Sequence, residues 1–293
     1  VIDGFTPGWI DHPGRHALAA ELPTLAQTGL LASGFGDTRD ILLYRAWKDC
    51  LGAYIPYVRQ AIGDCVSHGH GHGNDLLLCV EAALQGLKFT REEVETDTEA
   101  LYGMGREAGN MLGWQDGCYG SAMVKAMTTM GMVPRKEVGP YDGQRAKQWG
   151  RTGAPDDIKQ KASEWKLGAA ALVKTWDELA AALGNGYPVT VCSDQGFTMT
   201  RDADGFCQAR GSWGHCMLIC GIRTDKPGAL IFQSWGPNVP DGPLALDQPD
   251  NSFWAERRVV ERMLSLGDSW ALSKSPYFVE RPLPSHWSYD GAA

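Results

Sequence analysis

Hydrophobic positions recur at different spacings in the two halves of this chain. Leu76, Leu77, Val80, Ala83, Leu84 and Leu87 repeat at helical intervals and predict a central helix over 66–86. That helix is apolar on several sides, the mark of a buried element. Ala122, Met123, Ala126, Met127 and Met130 predict a second helix from Ser121, stopped by Gly131 and Pro134. Further helices are expected at 15–30 (interrupted at Pro23), at 94–106, and at 175–183, where Thr175 and Glu178 form a capping box. From Pro188 the texture turns to strands, at 188–192, 215–222, 229–234 and 269–272, with a helix over 254–266. Helices first and strands second, without β-α alternation, is an α+β pattern. Residues 113–120 read as a loop, and the Pro/Gly-rich stretch 139–155 reads as a linker.

Three glycines, Gly69, Gly71 and Gly73, interrupt the start of the central helix. Each costs about 1 kcal/mol relative to alanine, so close approach of another backbone is expected there. The body spans 41–275, with a helical part at about 50–150 and a β part at about 185–275. An arm (1–40) that wraps it without contributing chemistry precedes it, and a tail (276–293) follows.

At 293 residues the chain holds one large domain or two modest ones. The net charge of −8 argues against nucleic acid as a partner, because phosphate binding needs a basic face. No apolar run approaches the roughly 20 residues of a spanning helix, so no membrane role is expected. Val1–Gly4 lacks the basic start and apolar core of a leader peptide. The eight cysteines are spread widely, several within apolar runs, and no C-x-x-C occurs. A reduced compartment is favoured over a disulfide framework.

Candidate chemistry begins at Cys65, which follows a Gly63-Asp64 turn five residues after Gln60. A lone cysteine is more often a small buried hydrophobe. Two later segments change that reading: His215 opens one apolar run, and Gln233 closes another. A thiol attacks a carbonyl only as thiolate, and a free thiol is mostly protonated at neutral pH. A helix start and a neighbouring imidazole both lower its pKa, and a third group then orients the imidazole. The expected roles are Cys65 as nucleophile, His215 as base and then acid, and Gln233 as orienting amide. The Gln60 amide and the Cys65 backbone N–H are expected to hold the oxyanion.

These segments together resemble the papain family of cysteine peptidases. Gln60 to Cys65 is similar to its glutamine–cysteine turn, Gly214-His215 to its Gly-His strand start, and Gln233-Ser234-Trp235-Gly236 to its Asn-Ser-Trp-Gly. Gly117-Cys118-Tyr119-Gly120-Ser121 and Gly139-Pro140-Tyr141-Asp142 resemble segments between the catalytic halves. The resemblance covers about residues 50–275 and implies a two-lobed α+β fold, a helical lobe carrying Cys65 and an antiparallel β lobe carrying His215. It implies a polypeptide substrate cleaved at peptide or isopeptide bonds through a thiol acyl-enzyme, with no cofactor. It also implies that Tyr119 and Gly120 bind substrate backbone and that Trp235 shields the histidine. The departures are Gln233 in place of asparagine, Val66 in place of tryptophan, a Gln60–Cys65 spacing one residue shorter, and no long helical inhibitory propeptide. Cys118 matches a family cysteine whose disulfide partner position, near Ile62, holds no cysteine here.

Other readings stay open. On a helix, Cys65, His68 and His72 share a face that suits zinc, although the glycines weaken that helix and no fourth ligand is evident. His68, His70 and His72 otherwise pack or face solvent, and no metal is expected. The 256–258 segment reads as a solvated helix face. A rival reading keeps the fold without catalysis, as a structural or binding component of an assembly such as a virus particle, engaged through the arm. The expected location is cytoplasmic or virion-associated, with secretion still open.

Overall fold

The computed structural model describes residues 6–30 and 39–288. The Val1–Gly4 start, residue 5, residues 31–38 of the arm and the last five residues of the tail lie outside them. The first half holds α1 (Gly14–Ala20), α2 (Arg45–Leu51), α3 (Cys65–Leu84), α4 (Arg91–Val94), α5 (Thr98–Ala108), α6 (Gly120–Thr129), α7 (Gly143–Thr152) and α8 (Asp156–Ala162). The second half holds β1 (Ala169–Leu172), α9 (Trp176–Gly184), β2 (Val189–Phe197), β3 (Ala209–Arg223) and β4 (Gly228–Phe232). It ends with β5 (Ser252–Glu256), α10 (Arg257–Ser265) and β6 (Ser269–Ser273). The strands form one antiparallel sheet in the order β1-β6-β2-β3-β4-β5. The fold is α+β, a helical N-terminal part against this sheet.

α3 is the element on which both parts close. Every residue from Cys65 to Leu77 is buried, so the helix has no solvent face over its first three turns. The glycines are what let it fit. A Cβ at Gly69 would lie 2.8 Å from Cys216 Sγ and 3.2 Å from the Cys216 backbone on β3. One at Gly73 would lie 2.9 Å from Leu272 on β6, and one at Gly71 would lie 3.1 Å from Thr98 on α5. The helix is thus wedged between sheet and helices; the close backbone approach expected of the glycine run is present at Gly69, while Gly71 and Gly73 make room for side chains.

The interleaved histidines point at different neighbours. His70 Nδ1 donates to Val66 O (2.8 Å), and its Nε2 lies 3.1 Å from the Thr190 hydroxyl. His68 Nε2 lies 3.5 Å from Asp64, and the His72 ring packs on Tyr57 at 3.9 Å. Among the described residues no three His, Cys, Asp or Glu side chains are grouped as metal ligands, so the Cys65–His68–His72 set does not converge.

Two sequence expectations need correcting. The stretch read as a linker contains α7 and the start of the turn into α8. Its glycines sit at helix ends, and Asp142 caps α7 by accepting from Gln144 N at 2.8 Å. The segment looked like a linker because it is so polar, α7 burying only Ala146 and Gly150. The helix expected from Trp254 starts only at Arg257, because Phe253, Trp254 and Ala255 are drawn into the sheet beside β4. Residues 276–288 of the tail dock on the body, with Trp287 buried and its Nε1 donating to Asp49 at 2.6 Å. The expected Thr175–Glu178 capping box opens α9.

Gly69→Ala tests the wedge. Alanine favours an isolated helix by about 1 kcal/mol, yet overpacking against β3 is expected to destabilise the fold by about 1–3 kcal/mol. Thermal unfolding reads the sign, and an unchanged or raised melting temperature would show that α3 and β3 are not in register here.

Candidate active site

Cys65 is the first residue of α3 and is fully buried. Its helix start brings it to the strand that carries His215, and the Cys216 backbone N–H is directed at its sulfur. His215 lies on β3 and is also fully buried, its ring stacked on Trp235 at 5.1 Å and 17°. The turn before Cys65 is held from the helical side, where Tyr141 donates its hydroxyl to Asp64 (2.8 Å) and accepts from Ala61 N (2.9 Å).

The arm enters between the lobes at this point. Gln60 Nε2 donates to Thr6 O at 3.2 Å. The N–H groups of Gly8 and Trp9 donate to Gly214 O at 3.1 and 3.3 Å, so the arm is tied to the residue before His215. On the helical side Cys118 N donates to Gly8 O (2.8 Å) and Ile10 N donates to Cys118 O (3.0 Å), a parallel bridge. Trp9 Nε1 donates to Asp268 at 2.8 Å. Only glycine fits at position 8, since a Cβ there would collide with the Gly63 carbonyl and lie 3.0 Å from Cys65 Sγ. A Cβ at Gly214 would likewise strike the Trp9 carbonyl. The sequence had suggested an arm without chemistry, but its residues 6–10 cover the candidate nucleophile.

Burial controls the ionisation of both central groups. It holds the Cys65 thiol well above its ordinary range, helped by Cys216 and by the adjacent Asp64 carboxylate. The N–H groups of Cys216 and Gly8 offset this only in part. Burial, and then the neighbouring His68, push His215 down to about 3. In the described state the thiol and the imidazole are therefore both neutral, the opposite of the thiolate–imidazolium that nucleophilic attack needs.

The remaining expected residues are placed as follows. Gln60 accepts from Ser234 Oγ (2.5 Å) and donates to Ile62 O (2.8 Å) as well as to the arm. Gln233 spends its amide on backbone, donating to Val239 O and accepting from Trp235 N. Gly120 N donates to Asp268 at 2.7 Å, so this N–H is committed within the protein. Tyr119 is buried, donates its hydroxyl to Gly109 O (3.1 Å) and stacks on His12 at 5.5 Å. Trp235 covers one face of His215. Three residues that sequence reasoning passed over complete the site, Gly8, Trp9 and Asp268, together with the Cys118 backbone that pairs with the arm. Asp268 accepts from Trp9 and Trp270 side chains and from the Gly120 and Ser121 N–H groups, joining arm, α6 and sheet. A Gly-Trp pair in the arm was the available signal; nothing local marked Asp268.

A second thiol–imidazole contact lies nearby, with Cys216 Sγ 3.7 Å from His70 Nδ1. That nitrogen carries its proton toward the Val66 carbonyl, which can only accept. Its basic nitrogen faces Thr190 instead. The nitrogen facing Cys216 has no lone pair to take a proton, so His70 is no base for this thiol; against the burial that raises it, Cys192 and the shared His70 N–H lower the Cys216 thiol below its ordinary value.

Comparison with known proteins shows the fold. The chain matches xylellain, a cysteine protease from Xylella fastidiosa, at 16% identity with a TM-score of 0.59, covering 93% of this chain and 92% of that one. It matches procathepsin B S9 from Trypanosoma congolense at 11% identity with a TM-score of 0.61, covering 92% and 86%. It matches digestive procathepsin L 3 of Tenebrio molitor larval midgut at 15% and 0.54, covering 89% and 79%. No protein-family model matches the chain, and no curated protein matches it in sequence. The chain has the papain-like cysteine protease fold.

A ring with its pKa depressed to about 3 stays neutral at pH 5, where an ordinary histidine near 6.5 is mostly charged. The closed site is therefore fully supported above pH 6.5. Against any state with an ordinary His215, it loses about 1.4 kcal/mol per pH unit as pH falls toward 3. Histidine-resolved NMR titration is expected to show His215 neutral at pH 5, and titration near 6.5 would contradict the desolvated site.

Proposed function

We propose that this chain is a papain-like thiol hydrolase of polypeptides, held latent by its own arm. The observation that carries the proposal is the placement of residues 6–10: Gly8 against the Cys65 sulfur, with the Gln60 amide on a carbonyl of the arm. The arm uses the same backbone donors and acceptors that an extended peptide would need. Its departure would readmit water to Cys65 and His215, relaxing the burial that keeps both neutral.

In the opened site Cys65 gives its proton to His215 and its sulfur attacks the substrate carbonyl carbon. The developing oxyanion accepts from the Gln60 amide and the Cys65 N–H. Collapse expels the amine, which takes the proton from His215 and leaves a thioester on Cys65. Water, deprotonated by His215, then releases the acid. Gln233 acts here through Trp235: by fixing the Trp235 backbone it sets the plate on which His215 stacks.

A second reading, the same fold without catalysis, is favoured by one observation: the Gln233 amide is committed to the Val239 and Trp235 backbone. The two readings part on Gly8→Val, which has no room beside Gly63 and Cys65 and is expected to displace the arm. Labelling of Cys65 by a peptidyl vinyl sulfone should rise at least tenfold over the parent chain and vanish in Gly8→Val/Cys65→Ala. Hydrolysis of a fluorogenic peptide mixture should rise in parallel. Labelling without any hydrolysis supports the non-catalytic reading, and no gain in labelling rejects the latch.

A further inference from the structure

Two buried thiols stand opposite one another in the middle of the sheet. Cys192 on β2 and Cys216 on β3 are register partners, next to the Ser193–His215 pair. The Cys192 N–H donates to Asp268 O, just before β6, at 3.3 Å. A strand residue points its N–H and C=O to the same side, so Cys192 exchanges no backbone bonds with Cys216. The Cys216 N–H points away from β2 as well. β4 ends at Phe232, opposite Leu218, and beyond that end the Cys216 N–H meets the Cys65 sulfur. The two cysteines are therefore a non-hydrogen-bonded pair, the register position that brings Cα atoms to about 4.5 Å and side chains closest together. Disulfides span Cα separations of roughly 4.4–6.8 Å.

Both side chains lie on the face of the sheet beneath α3. Cys216 Sγ is 3.7 Å from His70 Nδ1. Thr190, two residues before Cys192 and so on the same face, has its hydroxyl 3.1 Å from His70 Nε2. The thiols also perturb one another. Against the burial that raises it, Cys192 and then His70 lower the Cys216 thiol, whereas burial and then Cys216 raise the Cys192 thiol. Cys216 is the partner that ionises first, and Cys192 keeps its proton.

We propose that Cys192 and Cys216 join in a cross-strand disulfide when the chain folds in oxidising surroundings, bracing the strand that carries His215 against β2. Both sulfurs are buried in the finished fold, so the exchange belongs to folding, before α3 closes over the sheet. With glutathione disulfide as oxidant, the Cys216 thiolate attacks one of its sulfurs and releases one glutathione thiolate. Cys192 gives its proton to that thiolate and attacks the Cys216 sulfur of the mixed disulfide, releasing the second glutathione. Two protein thiols are oxidised and one glutathione disulfide is reduced to two thiols. The described state, with all eight cysteines free, is the reduced form. The assignment holds whether or not Cys65 hydrolyses peptides.

Refolding the full chain from denaturant in mixed glutathione and glutathione disulfide, and in parallel in glutathione alone, tests the link. Alkylation of the unfolded products and peptide mapping then count the thiols. The oxidised product should carry two fewer than the eight thiols of the reduced chain, with one cross-linked peptide pair containing Cys192 and Cys216. It should melt at least about 4 °C higher than the reduced product. Cys192→Ala and Cys216→Ala should each melt at the same temperature from either buffer. The same count on the native chain, equilibrated with the two buffers in rising sub-denaturing urea, gives the answer without complete refolding. Eight free thiols in the folded oxidised product, a Cys216 link to Cys65 instead, or a link that leaves the melting temperature unchanged would each overturn the proposal.

Discussion

The constraint behind this structure is the contact of α3 with β3 at Gly69 and Cys216. A helix can approach a strand this closely only where it lacks a Cβ, and the approach fixes where its N-terminus falls. One turn before Gly69 on the same face is Cys65, which is thereby set beside Cys216, the residue that follows His215 on β3. The intrinsic helix cost of the glycines is offset by burying the whole start of α3. The geometry of the candidate site is thus a by-product of how the two parts of the fold pack.

The arm then decides what that geometry does. Helix dipole and nearby N–H groups favour a thiolate at Cys65, but burial and the Asp64 carboxylate outweigh them. His215 is pushed the same way, toward neutrality, by burial and by His68. Desolvation can silence a thiol–imidazole pair without moving either group. A segment that both excludes water and matches the backbone hydrogen bonds of the cleft is an efficient way to impose it.

Much of this was legible in the residues. The 3.6 period located α3 and α6, the capping box located α9, and the order cysteine, histidine, amide pointed to a two-lobed α+β fold. The glycine run announced a close approach without naming its partner. What escaped had identifiable causes. α7 buries too little to show a hydrophobic stripe, and β5 has only three apolar residues, Phe253 to Ala255, a run that periodicity cannot separate from the start of α10. Gln233 could be placed at the end of its strand, but its preference for Val239 and Trp235 depends on loop geometry that no local pattern encodes. Asp268 has its effect through partners more than a hundred residues away.

The account stands on the arm occupying the cleft in solution. Amide hydrogen exchange measured residue by residue at Gly8, Ile10 and Cys118 reads this directly, because each N–H is committed to a bond across the cleft. Protection approaching that of β3 is the predicted result. Exchange at these three amides as fast as in an unstructured peptide, with β3 still protected, would contradict the latent state.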